Sequence, residues 1–338
     1  MPVAEGILAS ARHLADEVLF PDAMRVDRLD ALPGSHLDAL AAAGLYGAPA
    51  PADAGGLGLD LAEVGMVVEE LAGGCLATAF VWIQHFRLLM TLAADGAPAA
   101  LRNRWLAPAC RGTLRGGIAL TGLMPGPPLL SARPVRGAWR VDGTAPWVTG
   151  WGLVDLVVVV ARGPGDTVVT LIMDAVDQSG LTASRQRLSA VDASVTVRLG
   201  FDGVLVPEER VAGQSSFDPA ASTQPEGLRV NGSLALGVTG RCCRLLGPGP
   251  LDDELAACRE RLDEALDGDA AAMAAARAAA CELAIRAAAA LAVRDGSRSI
   301  MVDQHAQRLA REAVFLLVFG SRPAIKSALL HQFRATPP

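Results

Sequence analysis

The sequence predicts an α+β protein in three consecutive parts: an N-terminal helical domain, a β-barrel-like middle domain and a C-terminal helical bundle. Two observations lead there. Apolar residues recur at helical spacing near both ends of the chain, while the middle consists of short runs rich in Val, Thr and Ile. Clusters of Gly, Pro and Asp separate those middle runs at the intervals of an antiparallel barrel or sandwich. The three parts are placed at residues 1–112, 113–215 and 227–335.

In the first part, "LDALAAAGLYG" has a helical apolar period and stops at Gly47. "LAEVGMVVEELAGG" does the same and ends at Gly73 and Gly74, and the Pro/Gly loop "APAPADAGGLGLD" between them continues neither helix. The strands follow as "GGIALTG", "WRVDGTAPWVTG", "DLVVVVARG", "DTVVTLIMD" and "VTVRLGFDGVLV". The third of these lacks polar alternation, which predicts a strand covered on both faces. From about residue 227 the helical period returns. Leu255, Cys258, Leu262 and Leu266 form one stripe with Arg, Glu and Asp opposite. The Ala-rich stretch 270–293 then offers a smooth face for close helix contacts. A last helix, roughly 302 to 319, carries Leu309, Ala313, Leu316 and Leu317.

Composition narrows the function classes. The chain has 338 residues, 51% hydrophobic and 20% charged, the balance of a globular protein. A net charge of −6 without any Lys/Arg-rich run argues against nucleic acid or an anionic membrane surface as the main partner. Lys326 is the only lysine. The N-terminal residues carry charges of both signs and no long apolar core, so no secretory signal is read there and the expected location is cytoplasmic. Arg277, Glu282 and Arg286 interrupt the Ala-rich stretch, which reads as a packed helix rather than a membrane span. Six cysteines without a CxxC pair read as small buried hydrophobes in a reducing compartment, with no metal site.

Several motifs, in order and at matching spacing, resemble the acyl-CoA dehydrogenase family nearly end to end. "LDALAAAGLYGAPAPADAGGLGLDLAEVGMVVEELAGG" is similar to the family's N-terminal pattern, "FDGVLVPEERVAG" to its exit from the β-domain, and "HAQRLAREA" to the start of its last helix. "GTAPWVTGWGLVDLVVVVAR" resembles the segment that faces FAD, with Trp147 packing on the isoalloxazine and Thr149 hydrogen-bonding near N5. The competing reading of that Trp-Val-Thr is a strand that closes a barrel. "ALTG" places Thr121 at the family's flavin-contacting threonine. The loop after it, however, reads "GLMPGPP" and lacks most of the small residues and the hydroxyl that let backbone approach a pyrophosphate.

Other departures accumulate toward the C-terminus. The family's Arg, Phe-Gly and Gln for the ADP half of a neighbouring subunit's FAD are replaced by "LDDELAACRERLDEALDG". Its later Gly-rich turn reads "VRDGSRSIM", where Gly296 and Ser297 keep a form able to contact a phosphate. Arg294 and Arg298 flank it either as solvated loop residues or as anion contacts. The family's proton-abstracting Glu falls on Gly320 in "REAVFLLVFGS", and the alternative position used by some members falls on Val230, with Asn231 replacing the usual Arg. Neither Gly320 nor Val230 accepts a proton, so no catalytic residue is assigned to this chain. Glu226 and Glu312 are the nearest acids, and both are expected at helix ends or facing solvent. His85 and His305, the remaining candidate bases, read as structural hydrogen-bonders.

The resemblance implies a specific kind of member: the shorter, Glu-lacking subunit of actinobacterial heterotetrameric acyl-CoA dehydrogenases that act on steroid side chains. It implies FAD shared with a paralogous, Glu-bearing partner, with an acyl-CoA substrate and electron-transfer flavoprotein as further partners. The cofactor contacts it assigns are Thr121, Trp147, Thr149 and Ser297. Two other readings stay open: a homomeric flavin monooxygenase on the same fold, and a scaffold subunit without cofactor.

Overall fold

The computed structural model of the chain describes residues 3–334, so the outermost ends of the first and last predicted parts, 1–2 and 335–338, lie outside it. The N-terminal part is helical. Helix α1 (Val3–Leu14) passes through a wider-turned π segment (Ala15–Leu19) into α2 (Phe20–Val26). Then come α3 (Gly34–Ala42), α4 (Leu61–Gly74), α5 (Leu76–Gln84), α6 (Phe86–Ala93) and α7 (Ala99–Cys110). Helix α4 starts where it does because Asp60 and Glu63 form a reciprocal capping box. The loop before it turns at Gly55 and Gly58, both with positive φ. The stretch apolar enough to cross a membrane, Leu76–Ala93, is 78% buried within the protein.

The middle part is a mixed eight-stranded sheet of β1 (Gly116–Ala119), β2 (Leu130–Val135), β3 (Ala138–Val148), β4 (Leu156–Arg162), β5 (Thr167–Asp174), β6 (Leu181–Arg185), β7 (Val197–Pro207) and β8 (Val211–Ser216). The strand order is β6-β7-β3-β2-β4-β5-β8, and β1 pairs parallel with β4. Strand β4 is buried on both faces, as its unbroken apolar run predicts. Val157, Val159 and Ala161 join the inner core, whereas Leu156, Val158 and Val160 pack with Leu88, Leu92 and Trp105 of the N-terminal helices.

The C-terminal part comprises α8 (Pro225–Leu246), α9 (Pro250–Glu264), α10 (Ala270–Asp295), α11 (His305–Val318) and α12 (Pro323–Arg334). Helices α4 and α8 cross closely through glycine. A Cβ at Gly237 would lie 2.4 Å from the Glu69 carbonyl oxygen, and one at Gly73 would lie 3.0 Å from the Gly237 carbonyl oxygen. The predicted last helix is followed by one more. Pro323 opens α12 in the first turn, where its missing N–H costs no helical hydrogen bond, and Ile325 and Leu329 are buried in the main core.

Candidate functional site

The three residues matched to the flavin ring gather on one rim of the sheet. Trp147 sits in β3 and Thr149 just beyond its end, while Thr121 opens the turn that follows β1, which packs against β3. Trp147 is 64% exposed, the largest side chain left open to solvent. Among the described residues no ring or guanidinium stacks on it, and its ring is the flat apolar wall that a planar ligand requires. Thr149 is buried, and its Oγ1 lies 3.1 Å from Thr196 Oγ1, which in turn lies 3.1 Å from Ser194 Oγ.

Backbone strain holds this hydroxyl chain in place. Val191 and Val195 both adopt the left-handed conformation, at φ 52° and 51°. For β-branched residues that costs on the order of 1–3 kcal/mol each. The segment between them is clamped to the strand that ends at Thr149: Gly150 N–H donates to Ser194 O and Trp151 N–H to Val195 O. Ser194 and Thr196 carry no sequence signature of their own; this clamp and the pairing of Val148 with Val197 between β3 and β7 bring them to Thr149.

The pyrophosphate side is differently built. The N–H groups of Leu123 and Met124 are spent in turn hydrogen bonds to Leu120 O and Thr121 O. The carbonyls of Gly122 and Met124 accept from Arg162, whose guanidinium lies on the Phe217 ring. A loop committed in this way offers carbonyls to a cation rather than amides to an anion. Ser297 is exposed in the turn after α10 and is not brought near Thr121, Trp147 or Thr149 within this chain. Gly296 has positive φ there; Arg294 is tied to Asp295 and Leu245 O, and Arg298 is exposed.

Gly320, which the resemblance matches to a catalytic Glu, lies beside Asn231, the residue after the alternative position Val230. Gly320 follows the end of α11 with φ +59°, and a Cβ there would lie 3.2 Å from Asn231 Nδ2 in α8. Beside them, Phe80, Phe315 and Phe319 form an aromatic trio with ring centroids 4.7–5.4 Å apart. Neither Gly320 nor Asn231 nor Val230 can take a proton. Glu226 is exposed in the first turn of α8.

Glu312 corrects the expectation of a helix-end or solvent-facing acid. It is buried in the interior of α11, and its Oε1 accepts from Arg308 Nη1 at 2.6 Å. The reason is the i, i+4 spacing on a helix packed all round: two opposite charges enter the core together and neutralise each other. Burial raises the Glu312 carboxyl above its ordinary range. Its Oε2 has no partner among the described residues, and the side chain lines a cavity of about 10 Å³ with Asp27, Cys75 and Asp192. It stands about 9 Å along the axis from the end of α11 at Val318, two residues before Gly320.

The histidines are structural. Buried His85 accepts from Gly116 N–H at Nδ1 and donates to Ala109 O at Nε2, and burial pushes its ring down to about 3. His305 stacks on Phe20 at 4.2 Å, and burial beside Arg308 and Arg241 lowers it to about 4. Among the described residues no group of three or more His, Cys, Asp or Glu is arranged to hold a metal ion. The six cysteines are unpaired and buried.

Residues 3–113 match the family model for the N-terminal domain of acyl-CoA dehydrogenases. Among curated relatives, benzylmalonyl-CoA dehydrogenase of Aromatoleum aromaticum is 29% identical over 238 residues, 67% of this chain and 62% of the relative. Human mitochondrial short-chain specific acyl-CoA dehydrogenase is 25% identical over 69% of this chain and 59% of the relative. The match thus spans about three fifths of these relatives' length. Among solved structures, butyryl-CoA dehydrogenase from Megasphaera elsdenii superposes with TM-score 0.83, 19% identity and 98% of each chain covered. A glutaryl-CoA dehydrogenase from Mycobacterium smegmatis in complex with FADH2 gives TM-score 0.81 at 19% identity, covering 98% of this chain and 94% of that one.

Proposed function

Because this chain has the acyl-CoA dehydrogenase fold throughout and an N-terminal domain that matches that family's, we propose that it is the non-basic subunit of a heteromeric, FAD-dependent acyl-CoA dehydrogenase. One observation carries the proposal. The two positions that the resemblance gives a proton-abstracting carboxylate hold Gly320 and Val230, neither able to take a proton, and Gly320 lies against Asn231, the neighbour of Val230 in α8. Glu312 accepts from Arg308, buried His85 bridges Gly116 N–H and Ala109 O, and half-buried His305 stacks on Phe20. A paralogous partner chain supplies the Glu.

The ring end of the site fits a flavin, and the pyrophosphate loop of this chain does not. The exposed Trp147 wall and the Thr149 hydroxyl would hold the isoalloxazine, whose chemistry when bound is two-electron acceptance. The carbonyls facing Arg162 leave the pyrophosphate to other residues, which supports a cofactor shared across subunits, with exposed Ser297 able to serve a neighbour's FAD. In this reading Trp147 orients the ring, Thr149 donates to it, and the aromatic trio beside Gly320 keeps water from the apolar end. The substrate is an acyl-CoA, in the finer form of the proposal a steroid side-chain thioester; electrons leave to electron-transfer flavoprotein, and the complex works in the cytoplasm.

The test is reconstitution. The chain is purified alone and together with a Glu-bearing paralogue, and flavin absorbance and acyl-CoA oxidation with an artificial acceptor are recorded for both. Flavin and turnover are expected only in the co-purified complex. Turnover by the lone chain would sink the proposal.

A further inference from the structure

The Ser194–Thr196–Thr149 chain consists of three hydroxyls, each able to donate one proton. Two contacts join them, so two protons are spent inside the chain and one O–H is left over. Ser194 is 0% exposed, Thr196 3% and Thr149 5%. Among the described residues, neither Ser194 Oγ nor Thr149 Oγ1 has a hydrogen-bond partner beyond Thr196.

Three donor assignments are possible and they are not equal. If Thr149 and Ser194 both donate to Thr196, the spare O–H is that of Thr196, buried with no acceptor among the described residues, as unfavourable as leaving it on Ser194. If the chain ran Thr149 to Thr196 to Ser194, the spare O–H would sit on Ser194, fully enclosed with no acceptor, and a buried donor left unpaired is costly. If it runs Ser194 to Thr196 to Thr149, the spare O–H sits at the one member on the rim beside exposed Trp147, where a ligand can take it. We infer that Ser194 and Thr196 are positioning residues that turn the Thr149 hydroxyl outward as a fixed donor toward an acceptor atom of the bound ligand. Strain at Val191 and Val195 gives the arrangement its backbone, since the two left-handed residues bracket the turn that brings Ser194 and Thr196 to Thr149. The ligand acceptor is the flavin ring nitrogen N5 if the function proposed above holds, and on that clause alone the inference rests on that reading.

Two measurements on the full-length chain test it. The first needs no ligand. With the outward direction, Thr149→Val strands the Thr196 O–H, whereas Ser194→Ala leaves Thr196 short only of an incoming donor. Thr149→Val is therefore expected to lower the melting temperature by about 2 °C more than Ser194→Ala. Equal losses, or the reverse order, overturn the assigned direction. The second compares affinity for FAD with that for 5-deaza-FAD, whose ring carbon at position 5 accepts no hydrogen bond, in the chain with its partner. The native protein is expected to prefer FAD by about tenfold. Thr149→Val and Thr196→Val abolish the preference, and Thr196→Ser retains it. A Thr196→Val variant that weakens both ligands equally, with the ratio intact, refutes the positioning role. Failure of the native protein to bind either ligand refutes the flavin reading and the assignment of N5, while the melting order still decides the direction of the chain.

Discussion

Gly320 shows how much one residue decides. Its φ of +59° lies in the region that favours glycine, and its missing side chain leaves room for Asn231 Nδ2. Gly320→Glu puts a carboxylate where the family keeps one but forces a left-handed non-glycine residue. The expected result is a stability loss on the order of 1 kcal/mol with no gain in acyl-CoA oxidation, alone or in the complex. A large gain in turnover by the lone variant would restore this chain as an enzyme short of one residue. His85 offers a pH test. Burial pushes its ring from the ordinary 6.5 down to about 3, so the native state excludes a proton that the unfolded chain binds. The stability that this contributes is complete above pH 6.5 and is lost as pH falls toward 3, with a slope of up to about 1.4 kcal/mol per pH unit. Glutamine can keep both hydrogen bonds without titrating. His85→Gln is expected to flatten the acid limb of the unfolding free energy between pH 6 and 4, and an unchanged slope would refute the assignment.

At the scale of elements, the close crossing of α4 and α8 makes two glycines of one helix behave oppositely. A Cβ at Gly237 would meet the Glu69 carbonyl at 2.4 Å and the Ala72 Cβ at 2.7 Å, both fixed parts of α4. Gly237→Ala must push the helices apart and is expected to cost about 1–3 kcal/mol. A Cβ at Gly240, three residues on, would find only Leu255 Cδ2 at 3.6 Å. Gly240→Ala there removes unfolded-state freedom inside a helix and is expected to be neutral or to gain up to about 1 kcal/mol. Chemical denaturation of the pair checks this, and equal effects would mean the crossing is looser than described. The aromatic trio belongs to the same scale, because α5 contributes Phe80 and α11 contributes Phe315 and Phe319.

Across the whole molecule, the exposed apolar residues are not scattered evenly. Val293, Ile300, Met301 and Val302 cluster at and beyond the end of α10, with exposures of 53–82%. On the heteromer proposal this turn is covered by a partner chain, in an interface that buries a few thousand Å². Ile300→Asp combined with Val302→Asp should leave the melting temperature of the isolated chain within about 1 °C, since neither side chain packs on the core. The same pair should abolish co-elution with the partner. Unaltered assembly of the double variant would place the interface elsewhere.

Much of this fold was legible in the sequence because local patterning and burial agree. The apolar run of β4 announced a strand covered on both faces, and the glycines at 73 and 74 marked the end of α4. Trp147 and Thr149 could be singled out because a motif places them two residues apart on one strand. Other features had no local signature. Glu312 reads as a solvated acid until the fold surrounds α11 and leaves Arg308 as its partner, and α12 was hidden behind a Gly-to-Pro turn that looks like an ending. Ser194 and Thr196 acquired meaning only when Thr149, 45 and 47 residues earlier in the chain, was folded against them. Secondary structure is encoded by neighbours within a few residues, so the chain itself determined it; which hydroxyl faces which, and which side chain lies against Gly320, depend on long-range packing that only the tertiary structure decided.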